Sequence, residues 1–182
     1  DPRHGGSGAD LYLLSDDANH IIPLPFTFTY YGLSFDTLTL CSNGFVNLGS
    51  SQSWASDFRN WNIPSPLGPP SLIAPFWDDL RSDTLDGDVW IHALSWYDQA
   101  EGRFIMEWSR TVNDYLYEDT LQWKEETFEL VLFDPVFHPT ATGDGEVLFQ
   151  YLVVNDVDPK DNYCSVGIED ETHQRGLQYS FS

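Results

Sequence analysis

With 29 acidic against 8 basic residues in a chain of 182, the protein carries a net charge of −21, which argues against nucleic acid or an anionic membrane surface as a partner, since both need clustered Lys and Arg. Hydrophobic residues make up 41% and aromatics 15%, too many for a disordered segment, and no apolar run is long enough for membrane insertion. The length suits one all-β domain with a single core.

Residues 1–10, DPRHGGSGAD, are Gly-rich and polar with no signal-peptide pattern, and are expected to form a flexible lead-in to one domain over residues 11–182. LYLLSDDANH follows as a short strand and an Asp/Asn turn. In IIPLPFTFTYY, Phe26, Phe28 and Tyr30 alternate with Thr27, Thr29 and Tyr31, the period of a strand with one face in a core. Pro23 and Pro25 lack a backbone donor, which puts the start of that strand at a sheet edge. Asn43-Gly44 between two apolar runs predicts a hairpin, and GSSQSWASDFRNW reads as a long polar surface loop.

The chain is organised around NWNIPSPLGPPSLIAPFWDDL, residues 60–80. Pro64, Pro66, Pro69, Pro70 and Pro75, with Gly68, exclude a helix there and hold the chain extended. Leu72-Ile73-Ala74 and Phe76-Trp77 then make a short apolar strand that reads as buried on both faces and ends on two adjacent carboxylates, Asp78 and Asp79. Asp86-Gly87 predicts a hairpin turn before DVWIHALSWYD, and Glu101-Gly102 another before RFIMEWSRTV, where Phe104, Met106 and Trp108 share a face. WKEETFELVLF and EVLFQYLVV supply two long strands, and residues 163–169 and 177–181 close the chain. Trp77, Trp90 and Trp108 lie within strands and are expected in the core.

No window of a dozen residues shows capped helical periodicity, although 115–123 could hold a helical turn. About ten strands separated by turn signals predict an all-β fold, an antiparallel, jelly-roll-like β-sandwich with little helix. Cys41 and Cys164 match neither a metal-ligand spacing nor a disulfide framework, and buried thiols are expected in preference to a bond between them.

In order along the chain, IPLPFTFTYYG, CSNGFVNLG, FRNWNIPSPLGPPSLIAPFWDDL, FIMEWSR, ETFELVLFDP, PTATGDGEVLFQYLVVNDVDPKDNYCSVGIED and GLQYSF resemble a domain found in large secreted bacterial proteins, often peptidases with sorting tails. SNG followed by IAPFWDDL, a hairpin strand and VGIE resembles the extracellular nidogen-like (NIDO) domain. The resemblance implies a secreted or cell-surface location, an all-β sandwich and a non-catalytic role beside a functional partner domain. It carries over no ligand residues.

Motifs for chemistry are sparse. Gly5-Gly6-Ser7-Gly8 is not a nucleophile elbow, and neither HExxH nor a phosphate-binding glycine loop occurs. His4, His20, His92, His138 and His173 lie far apart in sequence. A glycosidase-like pair is conceivable with Glu107 opposite Asp78 or Asp79, but Glu107 alternates with Met106 and Trp108, and a solvent-facing carboxylate accounts for it. Calcium is better motivated, because hard cations collect loop carboxylates and carbonyls. One group is Asp78, Asp79, Asp83, Asp86 and Asp88; a second is Asn155, Asp156, Asp158, Asp161 and Asn162. Neither has EF-hand spacing, and Asp and Asn also populate turns by bonding local backbone.

A docking surface is expected on the loop 49–70, with Trp54, Phe58, Arg59 and Trp61 as its anchoring side chains. Trp54 and Phe58 belong on its exposed side, Trp61 and Ile63 on its packed side. The sequence therefore reads as a non-catalytic accessory module of a larger extracellular protein. It would recognise a protein or polysaccharide partner, or adjacent domains of the same polypeptide, with calcium as cofactor and no organic one. A carboxylate-dependent hydrolase and a purely structural spacer are the competing readings.

Overall fold

A computed structural model describes residues 9–50, 58–82, 90–113, 125–155 and 164–181. Its strands are β1 (Asp10–Leu14), β2 (Asn19–Tyr30), β3 (Leu33–Cys41), β4 (Val46–Leu48), β5 (Leu72–Trp77), β6 (Leu80–Ser82), β7 (Ile91–Asp98), β8 (Arg103–Asn113), β9 (Glu125–Phe133), β10 (Val147–Val153), β11 (Ser165–Glu169) and β12 (Gly176–Phe181). A front sheet runs β1-β7-β8-β9-β10 with β6 also on β8, and a back sheet runs β12-β11-β5-β4-β3-β2. All the pairings are antiparallel. The expected all-β sandwich is observed, with twelve strands in place of about ten and no helix among the described residues. The lead-in residues 1–8 and the helical turn expected over 115–123 fall outside the described residues. Asp10 does not belong to the lead-in: it opens β1 and pairs with Ser95.

β5 lies inside the back sheet, and all six of its residues are buried because both its faces are covered. Ile73 and Phe76 join Phe28, Leu40, Trp108 and Phe128 in the core between the sheets. Leu72, Ala74 and Trp77 face the other way, into a second cluster with Cys41, Phe45 and Ile63 against which Trp61 packs. That second layer is the proline-rich segment. It is fastened to β11, β12 and their turn by Ser165 Oγ donating to the Trp61 carbonyl (2.7 Å), Ile63 N to Gln178 Oε1 (2.7 Å), Ser65 N to Glu169 Oε2 (2.8 Å) and Ser71 N to the Asp170 carbonyl (3.4 Å). The segment expected to be a surface loop is thus, from Asn60 onward, a packed strap. Prolines suit it, since few of its N–H groups can be satisfied in a sheet. Cys41 lies in the strap cluster and Cys164 in the core between the sheets, both as buried thiols.

The Asn43-Gly44 hairpin is present, with Leu40 opposite Val46. Gly44 takes a positive φ of 78°, and Asn43 contributes through its side chain instead of its backbone angle: Oδ1 accepts from Leu80 N (3.0 Å) and Nδ2 donates to Asp17 Oδ1 (2.9 Å). Asp86-Gly87, expected as a hairpin turn, lies outside the described residues, and the described strands on its two sides do not pair with each other. β6 and β7 follow one another along β8, with Leu80–Ser82 opposite residues 113–111 and residues 92–98 opposite 109–103. Asp78 and Asp79 mark the crossing from the back sheet to the front sheet, where β6 and β7 both pair with β8. Trp90 also departs from expectation. It precedes β7 and is 43% exposed, outside the core.

Candidate functional site

At the crossing, the two carboxylates have different surroundings. Asp78 is buried; it accepts a bond from Asn113 Nδ2 and another from Asp79 N (2.8 Å), as a residue that fixes a chain reversal does. Asp79 is only half buried, and its carboxylate meets those of Asp16 and Asp17, ligand atoms of the three lying within 4.8 Å of one another. Asp16 is paired with Arg81 at 2.9 Å, and Asn43 holds Asp17, which sits at a φ of 50°. The sequence missed this grouping because Asp16 and Asp17 read as an ordinary turn; only the pairing of distant strands brings them to Asp79. Asp83, Asp86 and Asp88 lie outside the described residues.

The second expected calcium group starts at the same pole. Asn155 N donates to Glu126 Oε2 (2.8 Å) and Asn155 Nδ2 to the Glu125 carbonyl (2.9 Å), while Glu126 is fully buried. Asp156, Asp158, Asp161 and Asn162 are outside the described residues.

Glu107 faces Glu129 of β9 directly across the strand pair, not Asp78 or Asp79. The two line a cavity of about 550 Å³ on the outer face of the front sheet, with Arg110, Glu125 and Gln150. Burial, reinforced by the charge of Glu107, raises the Glu129 pKa; like charges directly opposite destabilise a strand pair. The cost of Glu129 to folding therefore grows as pH rises above its ordinary 4.5, below which both states are protonated, and is complete once pH passes its raised folded value. Glu129→Gln is expected to raise the melting temperature at pH 7 and to lose that advantage in acid. Parallel melts of the two proteins across pH check this.

At the opposite pole, Glu169 and Asp170 organise the β11–β12 turn. Glu169 is buried, and burial raises its pKa despite bonds from Ser65 N and from His173 Nδ1 at 2.5 Å. Burial opposes ionisation of Asp170 as well, yet Thr172, Arg175 and Gln174 together hold its pKa down at about 2. Both carboxylates serve the strap and the turn.

Of the expected docking residues, Trp54 lies outside the described residues. Phe58 is 41% exposed, with the Arg59 guanidinium 5.6 Å from its ring centre, and Trp61 packs on the strap cluster. A broader apolar surface lies elsewhere, on the side of the sandwich where β10 and β12 are the end strands. A cleft of about 360 Å³ opens there between Phe149 and Tyr151 on one sheet and Val166, Ile168, Leu177 and Tyr179 on the other. Leu152 is 81% exposed, Leu177 67% and Tyr179 87%. Neither VLFQYLV nor GLQYSF contains a charged residue or a proline. In a chain so acidic, that absence was the signal in the sequence for this surface.

Among the described residues, no helix is long and apolar enough to cross a membrane. Comparison with curated proteins and with solved structures finds no match in either. A family model described as NIDO related matches residues 5–182, nearly the whole sequence, and the chain belongs to that NIDO-related family.

Proposed function

We propose that this domain is a non-catalytic accessory module of a secreted or cell-surface protein, and that it docks to a partner or to an adjacent domain of the same polypeptide across the open side between β10 and β12. Membership of the NIDO-related family supports the extracellular placement. The observation that carries the docking is the exposure of Leu148, Leu177 and Tyr179 around an apolar cleft, because contiguous apolar surface of this kind marks interaction sites on soluble domains. A photo-crosslinking residue placed at Leu152 or Tyr179 in the full-length polypeptide should give a crosslink that one placed at Thr27, exposed on the far edge of the back sheet, does not. Crosslinks from Thr27 alone would contradict the reading. Glycoside or ester hydrolysis lost in both Glu107→Gln and Glu129→Gln would contradict its non-catalytic part.

A second reading concerns calcium at Asp79, and the convergence of Asp16 and Asp17 on it favours this. An ion there would relieve repulsion among the three carboxylates and would stabilise the crossing between sheets. Calcium at a hundredfold excess over its dissociation constant stabilises by about 2.7 kcal/mol, or roughly 5–10 °C for a domain of this size. That rise should vanish with chelator and in Asp79→Asn. A melting temperature indifferent to calcium would reject the site.

A further inference from the structure

Resting on that docking reading, we infer that the occupant of the open side is one extended strand added along the free edge of β10, uncharged over its length and flanked by Lys or Arg. On β12, Gln178 faces the strap, to which its Oε1 is bonded. Leu177 and Tyr179 line the cleft, on the side that the front sheet covers elsewhere, while a register shift beyond Gln178 sets Phe181 opposite Ser165, whose side chain is bonded to the strap. Over β11 that cover is present, and Val166 is buried. Over β12 it is missing among the described residues, where the front sheet ends at β10, and the side chains of Leu177 and Tyr179 are 67% and 87% exposed. Strands in a sheet lie about 4.8 Å apart and packed sheets about 10 Å apart. One more strand beside β10 would thus sit over β12 and close the cleft.

The edges themselves agree. Natural sheets guard free edges with charge or proline. β2, the other edge of the back sheet, has Pro23 and Pro25, and β1 begins with Asp10. β10 and β12 have neither. Charge then selects the occupant. Asp144 and the exposed Glu146 precede β10, while past its other end Glu125 is paired with Arg110 and Glu126 is buried. Arg175, at the start of β12, is already paired with Asp170. A strand that meets Asp144 and Glu146 at one end, on a domain with a net charge of −21, is favoured by basic flanks. A second copy of this chain is disfavoured, since it brings the same carboxylates and the same net charge.

The test uses short peptides with alternating Val-Thr, Leu-Ser or Phe-Thr cores, each made once with lysine pairs at its ends and once with glutamate pairs. They are titrated by calorimetry into the protein and into its Tyr179→Asp and Leu177→Asp variants. Lysine-flanked peptides are expected to bind at least about tenfold more tightly than their glutamate-flanked partners at low salt. Binding should be lost in both variants, whose melting temperatures stay close to the parent's because the altered side chains are exposed. Absence of binding by every peptide, or equal binding to the variants, overturns the added strand. Self-association in the ultracentrifuge that Tyr179→Asp abolishes overturns it in favour of a second copy. Crosslinks from Leu152 and Tyr179 without peptide binding would leave the docking reading in place and remove the strand.

Discussion

Replacing Gly44 by alanine is expected to remove most of the stability of this protein. A Cβ on Gly44 would lie 1.8 Å from the carbonyl oxygen of Phe76 and 2.9 Å from its carbonyl carbon. The obstacle is backbone and cannot rotate aside. The hairpin is held against β5 by Phe76 N donating to the Gly44 carbonyl and Asp78 N to the Asn43 carbonyl, each at 3.2 Å, so relief of the clash breaks the joint between β4 and β5. The positive φ of 78° adds about 1–2 kcal/mol for any residue with a Cβ. A loss above about 4 kcal/mol is expected, which places the change among the exceptional single substitutions. Denaturant unfolding checks it, and a midpoint close to the parent's would show that the joint is not needed.

Trp108→Ala is expected to be nearly as severe. The ring is fully buried and stacks on Phe128 with centroids 5.2 Å apart and planes 18° apart. Its Nε1 reaches across the core to the Cys41 carbonyl at 2.8 Å, so the same side chain fills space and ties the front sheet to the back one. Truncating a large buried aromatic costs about 3–5 kcal/mol, and the lost bond contributes about 1 kcal/mol of the total. Trp108→Phe keeps most of the packing and should cost clearly less than alanine. Equal losses in the two variants would mean that the hydrogen bond, not the packing, holds the sheets.

Much of the architecture was legible in the sequence, because period-two alternation and turn chemistry act over short distances. Phe28 and Tyr30 are buried where the alternation placed them, and β5 is buried on both faces as its unbroken apolar run implied. What failed depends on which strand pairs with which. Asp86-Gly87 has the chemistry of a hairpin turn and lies outside the described residues, but the described strands on either side of it pair with β8 and not with each other. Local sequence cannot distinguish a strand that turns back from one that continues after an excursion. The strap was read half correctly: Ile63 and Trp61 pack, but the segment as a whole is held down by Glu169, Gln178 and Ser165, more than a hundred residues away. The Asp16, Asp17 and Asp79 group was invisible for the same reason. At the open side, EVLFQYLVV was read correctly as a strand, which said nothing of whether its apolar face would be covered.

The central claim is that the β10 and β12 side is completed by something outside the described residues, and hydrogen exchange tests it most directly. The isolated domain and the full-length polypeptide with its partner present should be compared amide by amide. Edge amides of 147–153 and 176–181 should exchange quickly in the isolated domain, since no strand lies beyond either among the described residues, and should slow by at least about tenfold when the edge is paired. Unchanged exchange in both strands, with new protection on β2 or around Phe58 and Arg59, would contradict the account and return the docking surface to the loop.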